Sequence, residues 1–195
     1  NTILWHENVT GNGSEWETHS VLSTTSFANN LYVSDLDNDS VYDLISTNRA
    51  SSTIHFHKNV DGDGKTWETT NLYENFPGTT DLFLMDLDLD GDDDVLTSSN
   101  LSKNVIWLEN ILSTEAIWTG KQIGSTVNYP STIKAADIDK DGDNDIIIGS
   151  LADSKISIAE NMLSQTSHDS MPDILMSSGK NHTSVILGQA FVSNN

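Results

Sequence analysis

The chain repeats itself at an interval of 51 residues, and this period restricts its possible folds more than any other feature. Tryptophan, asparagine and the aspartates that open and close an acidic stretch all recur in one register, without an insertion. The recurring positions are Trp16, Trp67 and Trp118; Asn8, Asn59, Asn110 and Asn161; Trp5, Phe56, Trp107 and Ile158; Asp35, Asp86 and Asp137; and Asp43, Asp94 and Asp145. Such a chain is expected to use one supersecondary unit several times.

Each unit carries short apolar segments with the alternation of β-strands. In one unit, "TDLFLMDL" leads into the acidic stretch, "DDVLTSSN" leaves it, and "KNVIWLEN" and "IWTGKQIG" follow. No segment keeps the 3.6-residue period of a helix, so helices should be few. Four short strands in a repeat of this length are typical of a propeller blade. We therefore predict an all-β β-propeller of four-stranded blades, with the recurring Trp and Phe side chains packed between blades.

The 195 residues supply about four blades, as a single β-propeller domain or a segment of one. We predict a partial blade at 1–22, blades at 29–73 and 80–124, a partial blade at 131–163, and degenerate strands at 164–195. Within the last segment, "PDILMSSGKNHTSVILGQ" resembles a second and third strand after a deletion. Three architectures stay open: part of a longer propeller such as a seven-bladed ring, a closed four-bladed ring, or half of a ring completed by another chain. The mid-blade start favours the first.

Three acidic loops place aspartate at positions 1, 3, 5 and 9: "DLDNDSVYD" at 35–43, "DLDLDGDDD" at 86–94 and "DIDKDGDND" at 137–145. Alternate carboxylates on a tightly wound loop converge on one point, and a residue near position 7 can add its backbone carbonyl. This many hard oxygen ligands suits Ca²⁺, whereas Mg²⁺ prefers fewer protein ligands and keeps its waters. Glycine at position 6, Gly91 and Gly142, permits the sharp turn. Ser40 replaces it in the first loop and must adopt the turn with some strain.

Two other interpretations of these loops are less favoured. A helix–loop–helix calcium motif needs glutamate at position 12, where Ser46, Thr97 and Ile148 stand, and it needs helical flanks. A solvated acidic turn would explain one such loop, but it does not explain three in the same register. The aspartates are therefore predicted to crowd because a divalent cation neutralises them.

The pattern D-x-D-x-D-G-x-x-D between two strands, followed by W-x-E-N and a further Trp, resembles the FG-GAP/VCBS repeat family over about residues 1–163. That family forms calcium-binding propeller blades, as in integrin α-chain heads and many secreted microbial proteins. There the loop joins the first and second strands of a blade and the ion is structural. The resemblance implies side-chain ligands at positions 1, 3, 5 and 9 and a carbonyl ligand at position 7. By position these are Asp35, Asp37, Asp39, Val41 and Asp43; Asp86, Asp88, Asp90, Asp92 and Asp94; and Asp137, Asp139, Asp141, Asp143 and Asp145. The last two loops match fully, and the first lacks the glycine.

Three further motifs carry no predicted metal-binding or catalytic role. "NVDGDGKTW", with Asp61 and Asp63, is predicted to be a hairpin turn rather than a metal loop, because its repeats lack the carboxylates or the glycines. His55 and His57 lie two apart on one strand and have no evident third metal ligand, so a surface or packing role is favoured. Sequons stand at Asn8, Asn12, Asn38, Asn100 and Asn181, and they are glycosylation sites only in a eukaryotic secretory protein.

The charge balance excludes several classes of partner. A formal charge of −20, from 29 acidic and 9 basic residues, argues against nucleic acid and anionic membranes. No apolar run approaches the roughly 18 residues of a membrane span. Cysteine is absent, which excludes disulfides and thiolate sites. The remaining partners are a protein or carbohydrate ligand at an extracellular surface, with self-association or continuation in a longer chain left open.

No catalytic constellation is identifiable, since the only crowded carboxylates are those of the metal loops. We predict a non-enzymatic, calcium-binding extracellular β-propeller, secreted or at the cell surface, that acts in adhesion, ligand binding or surface assembly. The alternative is the propeller portion of a secreted carbohydrate-active enzyme, a lyase or dehydratase, with its catalytic residues outside this chain. Fold alone does not decide between them.

Overall fold

The computed structural model describes residues 2–23, 28–112, 117–123, 127–162, 175–178 and 185–186. These residues form strands and turns without a helix, which confirms the all-β prediction, and no helix in them is long and apolar enough to cross a membrane. The strands are β1 (Thr2–Asn8), β2 (Trp16–Ser23), β3 (Ala28–Ser34), β4 (Asp43–Asn48), β5 (Thr53–Asn59), β6 (Trp67–Tyr73), β7 (Thr79–Met85), β8 (Asp94–Ser99), β9 (Asn104–Leu112), β10 (Ile117–Ile123), β11 (Pro130–Ala136), β12 (Asp145–Ser150), β13 (Lys155–Glu160), β14 (Leu175–Ser178) and β15 (Val185–Ile186).

The strands form four antiparallel sheets in chain order. Sheet 1 holds β1 and β2, sheet 2 holds β3 to β6, sheet 3 holds β7 to β10, and sheet 4 holds β11 to β15. Within each sheet every strand pairs with the next one along the chain, so each sheet is a simple meander. This is the blade-like unit that the repeat predicted.

The first strands of sheets 2, 3 and 4 lie side by side. The Asn29 side chain donates to the carbonyl of Thr79, 3.3 Å away, and this links β3 to β7. The Thr80 hydroxyl donates to the carbonyl of Pro130 at 2.7 Å, and this links β7 to β11. The sheets therefore stack face to face, with their first strands on one side.

Sheet 3 is buried on both faces, which shows how the stack forms its core. Val95 and Leu108 pack into a cluster shared with sheet 2, together with Ile45 and Phe56. Their strand neighbour Leu96 points the other way, into a cluster shared with sheet 4. The two-residue period of a strand sends alternate side chains to opposite faces, so one apolar run supplies two cores.

The predicted burial of the recurring aromatic side chains is confirmed at Phe56 and Trp107, is borne out in part at Trp118, which packs against the core cluster shared by sheets 2 and 3, and is wrong at Trp16. Phe56 and Trp107, on the third strands, are 4% and 3% exposed and lie in the two cores. Trp16, at the start of a fourth strand, is 58% exposed. Its indole donates to the carbonyl of Gly13 at 3.0 Å, and Trp67 donates to Gly64 at 2.7 Å. At these two positions the indole closes its own hairpin, because the fourth strand is the outermost one.

The C-terminal strands occupy an unexpected place. β14 and β15 pair with each other, as a second and third strand would, but β14 also pairs with β13. The hairpin therefore extends sheet 4 beyond its third strand and does not begin another sheet. Most of 164–195 and the Asn181 sequon lie outside the described residues.

Candidate metal centres

The three acidic loops occupy the same place in successive sheets. Each joins the first strand to the second: residues 35–43 (the first loop) lie between β3 and β4, 86–94 (the second loop) between β7 and β8, and 137–145 (the third loop) between β11 and β12. The glycines at position 6 have φ near +100°, with Gly91 at 101° and Gly142 at 102°. Ser40 stands at φ 69°, in the left-handed region that costs a residue with a Cβ some strain. The turn expected at position 6 is present in all three loops.

In each loop, the carboxylates at positions 1, 3 and 5 converge. Their oxygens lie within 4.8 Å of one another, which is close enough to hold a metal ion. The loop backbone enforces this: Asp86 accepts from the amides of Asp90 (3.1 Å) and Gly91 (3.0 Å), and the Asp92 amide donates to Asp90 at 3.0 Å. The groups are Asp35, Asp37 and Asp39; Asp86, Asp88 and Asp90; and Asp137, Asp139 and Asp141. Their roles as ligands, and the carbonyl roles of Val41, Asp92 and Asp143, stay predictions.

The aspartate at position 9 has a second task that the sequence did not reveal. In the second loop, Asp94 is fully buried and accepts from the amides of Leu87 (3.1 Å) and Asn110 (2.8 Å). Asp43 and Asp145 accept from the corresponding amides in their own sheets. Burial raises the pKa of Asp94 to about 7, although these hydrogen bonds oppose the shift. Position 9 thus fastens the loop to the third strand, and its role as a ligand stays a prediction.

Two of the recurring asparagines, Asn110 and Asn161, connect neighbouring sheets, a role that their spacing alone did not disclose. The Asn110 side chain in sheet 3 donates to the carbonyl of Leu36, in the first loop, at 3.0 Å. The Asn161 side chain in sheet 4 donates to Leu87, in the second loop, at 3.1 Å. Asn110 and Asn161 are almost completely buried. The first and second loops are therefore each held by their own sheet at position 9 and by the next sheet at position 2.

The second loop fits a cation. The Oδ1 atom of Asp88 is buried and has no hydrogen-bond partner among the described residues, an arrangement that is costly unless something positive satisfies it. Burial, together with the charges of Asp90 and Glu109, raises the pKa of Asp88 to about 6. Glu109 is itself paired with Lys121, at 2.7 Å. Oxygen donors crowded to this degree are the set that Ca²⁺ takes.

The first loop differs in its electrostatics. The Lys58 ammonium, from the end of β5, donates to Asp37 and also to Asp39, 3.1 Å away. Burial opposes the shift, but these contacts lower the pKa of Asp39. The hydrogen bond to Asp37 raises the pKa of Lys58. A cation from the chain itself thus lies among the carboxylates of this loop.

A fourth cluster was missed by the sequence analysis. Glu7, Glu17 and His19 on sheet 1 bring a carboxylate or imidazole atom each within 4.8 Å of the others. The Nε2 atom of His19 and the Oε2 atom of Glu7 are already in hydrogen-bond contact at 3.0 Å. The residues stand on two strands of a hairpin, and only the register, which places Glu7 opposite Glu17, brings them together.

The two minor motifs take the roles favoured from the sequence. The residues around Asp61 and Asp63 form a hairpin closed by the Val60 amide on the carbonyl of Thr66, at 2.9 Å. His57 is fully buried, and its two ring nitrogens contact the hydroxyls of Ser46 and Thr69, each at 2.8 Å. With both nitrogens engaged, His57 packs in sheet 2 and does not chelate a metal.

Acid is expected to destabilise the protein through His57. Burial lowers the pKa of His57 to about 4, against about 6.5 in the unfolded chain. The unfolded chain then binds more protons, so this contribution is complete above pH 6.5 and is lost as the pH falls toward 4. Between pH 7 and pH 5 the loss amounts to about 2 kcal/mol.

Urea unfolding at the two pH values measures the effect. His57→Gln should lack this part of the pH dependence, while His6→Gln, at an exposed site, should keep it. An unchanged pH dependence in His57→Gln would show that His57 is not buried in neutral form.

Comparison with protein families gives one match. Residues 86–148 match the model of the FG-GAP-like repeat, which confirms the resemblance over that stretch. The matched segment runs from the first residue of the second loop through the whole third loop. No curated protein matches the chain.

Proposed function

We propose that the chain is part of a calcium-stabilised extracellular β-propeller, with its sheets as blades, that acts without catalysis in adhesion, ligand binding or surface assembly. The observation that carries the proposal is the convergence of three carboxylates at the same corner of successive sheets, held by the same backbone hydrogen bonds. The FG-GAP-like match over these loops supports it.

Calcium would stabilise the fold at the acidic loops. In the second loop it would be held by Asp86, Asp88 and Asp90, with Asp92 and Asp94 completing the set, and in the third loop by the equivalent aspartates. The ion would neutralise carboxylates that otherwise repel one another. Extracellular calcium, near millimolar, keeps even weak sites of this kind filled. Since the second loop is also tied to the next sheet by Asn161, ordering this loop would stabilise the contact between blades.

The stacking of the sheets supports the proposed propeller architecture. First strands side by side, with apolar cores between consecutive sheets, are what blades around an axis require. Sheet 1 pairs only β1 with β2 among the described residues, and these match the third and fourth strands of the other sheets.

Titration calorimetry of chelator-stripped protein tests the calcium sites. The wild type should bind Ca²⁺, and the double variant Asp88→Asn, Asp139→Asn should lose that binding. Asp63→Asn, in an exposed hairpin, is the matched control and should bind as the wild type does. An absence of calcium binding in folded wild-type protein would contradict the proposal. The mass in solution, measured in parallel, separates a single-chain unit from a ring shared between copies.

A further inference from the structure

The first loop carries its own cation. Lys58 reaches into it from the adjacent third strand, and its ammonium donates to Asp37 and to Asp39, 3.1 Å away. The side chain of Asp37 is 4% exposed and that of Lys58 is 33% exposed, so the carboxylate is shielded from solvent while the lysine remains partly exposed. The ammonium therefore stands among the oxygens that a metal ion would need.

The repeat shows that this lysine is particular to the first loop. The residue in the same register is Glu109 beside the second loop and Glu160 beside the third. At the second loop, Glu109 adds negative charge next to Asp88, the reverse of what Lys58 does for Asp37. The first loop is also the one with Ser40 in place of glycine, at φ 69° where the other loops have about 101°.

The first loop nevertheless keeps the folded form of the others. Asp35 accepts from the amides of Asp39 (3.1 Å) and Ser40 (2.9 Å), as Asp86 does in the second loop. The loop also supports its neighbour, since Asn38 donates to the side chain of Asp92 in the second loop. The Lys58 ammonium satisfies one carboxylate oxygen of Asp37, while the other, Oδ1, is buried without a hydrogen-bond partner among the described residues. The ammonium thus occupies this loop in place of a divalent ion, although it does not satisfy every oxygen.

We propose that Lys58 is the resident cation of the first loop and closes it to calcium, so that this loop stays ordered when calcium is withdrawn. A divalent ion could enter only by displacing the ammonium from the buried carboxylate of Asp37, which would cost the ion pair between them. The inference refines the proposed calcium function, but the contact of Lys58 with its aspartates does not depend on that function.

Thermal unfolding in the presence of a chelator tests the contribution of Lys58 to stability separately from that of calcium. Lys58→Met keeps the length of the side chain and removes the charge, which leaves Asp37 shielded without a partner, and the melting temperature should fall by about 5 °C. Lys65→Met is the matched control: Lys65 pairs with Asp63 at 3.1 Å, but both side chains are more than half exposed, so its melting temperature should stay within about 1 °C of the wild type. Equal melting temperatures for the two variants would overturn the proposal.

The number of calcium ions bound by a second variant tests whether Lys58 keeps calcium out of the first loop. Lys58→Glu restores the residue type of the other two repeats, and it should bind one calcium ion more than the wild type by calorimetry. A wild-type protein that already fills all three loops would overturn the inference and leave the calcium function standing. A wild type that binds no calcium would contradict the calcium function, while the chelator comparison would still decide the role of Lys58.

Discussion

Removal of calcium is expected to lower the melting temperature of this protein by about 10 to 20 °C. Each of the second and third loops, if saturated at about 100 times its dissociation constant, stabilises the folded state by about 2.7 kcal/mol. A chain of this size loses about 2 to 4 °C per kcal/mol. The physical reason is that the carboxylates at positions 1, 3 and 5 lie within 4.8 Å of one another and repel when nothing neutralises them.

Differential scanning calorimetry with millimolar calcium and then with excess chelator measures this difference. Asp88→Asn removes a buried ligand from the second loop and should lose about half of the calcium response, because the third loop is untouched. Asp63→Asn should keep the full response. A melting temperature that is indifferent to chelator in the wild type would contradict calcium at both loops.

The substitution Asp94→Ala is expected to destabilise the protein by about 3 kcal/mol even when calcium is absent. It removes a fully buried carboxylate that accepts from the amides of Leu87 and Asn110, and each buried donor left without a partner costs about 1 to 3 kcal/mol. The raised pKa of Asp94, about 7, reduces the net loss, because the buried charge is itself unfavourable.

Urea unfolding in chelator isolates this structural role. Asp94→Asn keeps one carbonyl oxygen, which can still accept one amide, and should lose about half as much stability as Asp94→Ala. Asp63→Ala, in the exposed hairpin, should be near neutral. A loss confined to the calcium-loaded protein would mean that Asp94 acts only as a metal ligand and does not fasten the loop.

Much of the candidate site was predictable because it is local in sequence. Alternate aspartates on a short loop between two strands converge through the loop's own backbone, so the groups around Asp35, Asp86 and Asp137 were placed correctly. The turn at position 6 followed from Gly91 and Gly142 and was correct even for Ser40. In each case, the interacting residues lie within nine positions of one another.

The interactions missed from the sequence join residues far apart in the chain. Asn110 is recognisable as a repeated residue, but its partner Leu36 lies 74 residues away in the neighbouring sheet. In the sequence, Lys58 is an ordinary charged residue at the end of a strand. Only the pairing of β4 with β5 shows that it contacts Asp37. Trp16 and Trp118 share one position of the repeat, yet Trp118 packs against a core cluster and Trp16 is exposed, so the repeat position alone does not determine burial.

The sequence by itself determined the repeat, the four-strand order within it, the all-β class and the position of the acidic loops. These follow from periodicity and from the local stereochemistry of strands and turns, which act over a few residues. Only the tertiary structure decided which loop contains an ammonium, that position 9 fastens each loop to its third strand, that asparagine links one sheet to the next, and that β14 extends sheet 4. These depend on which strands and sheets become neighbours, and burial and hydrogen bonding between distant residues settle that choice.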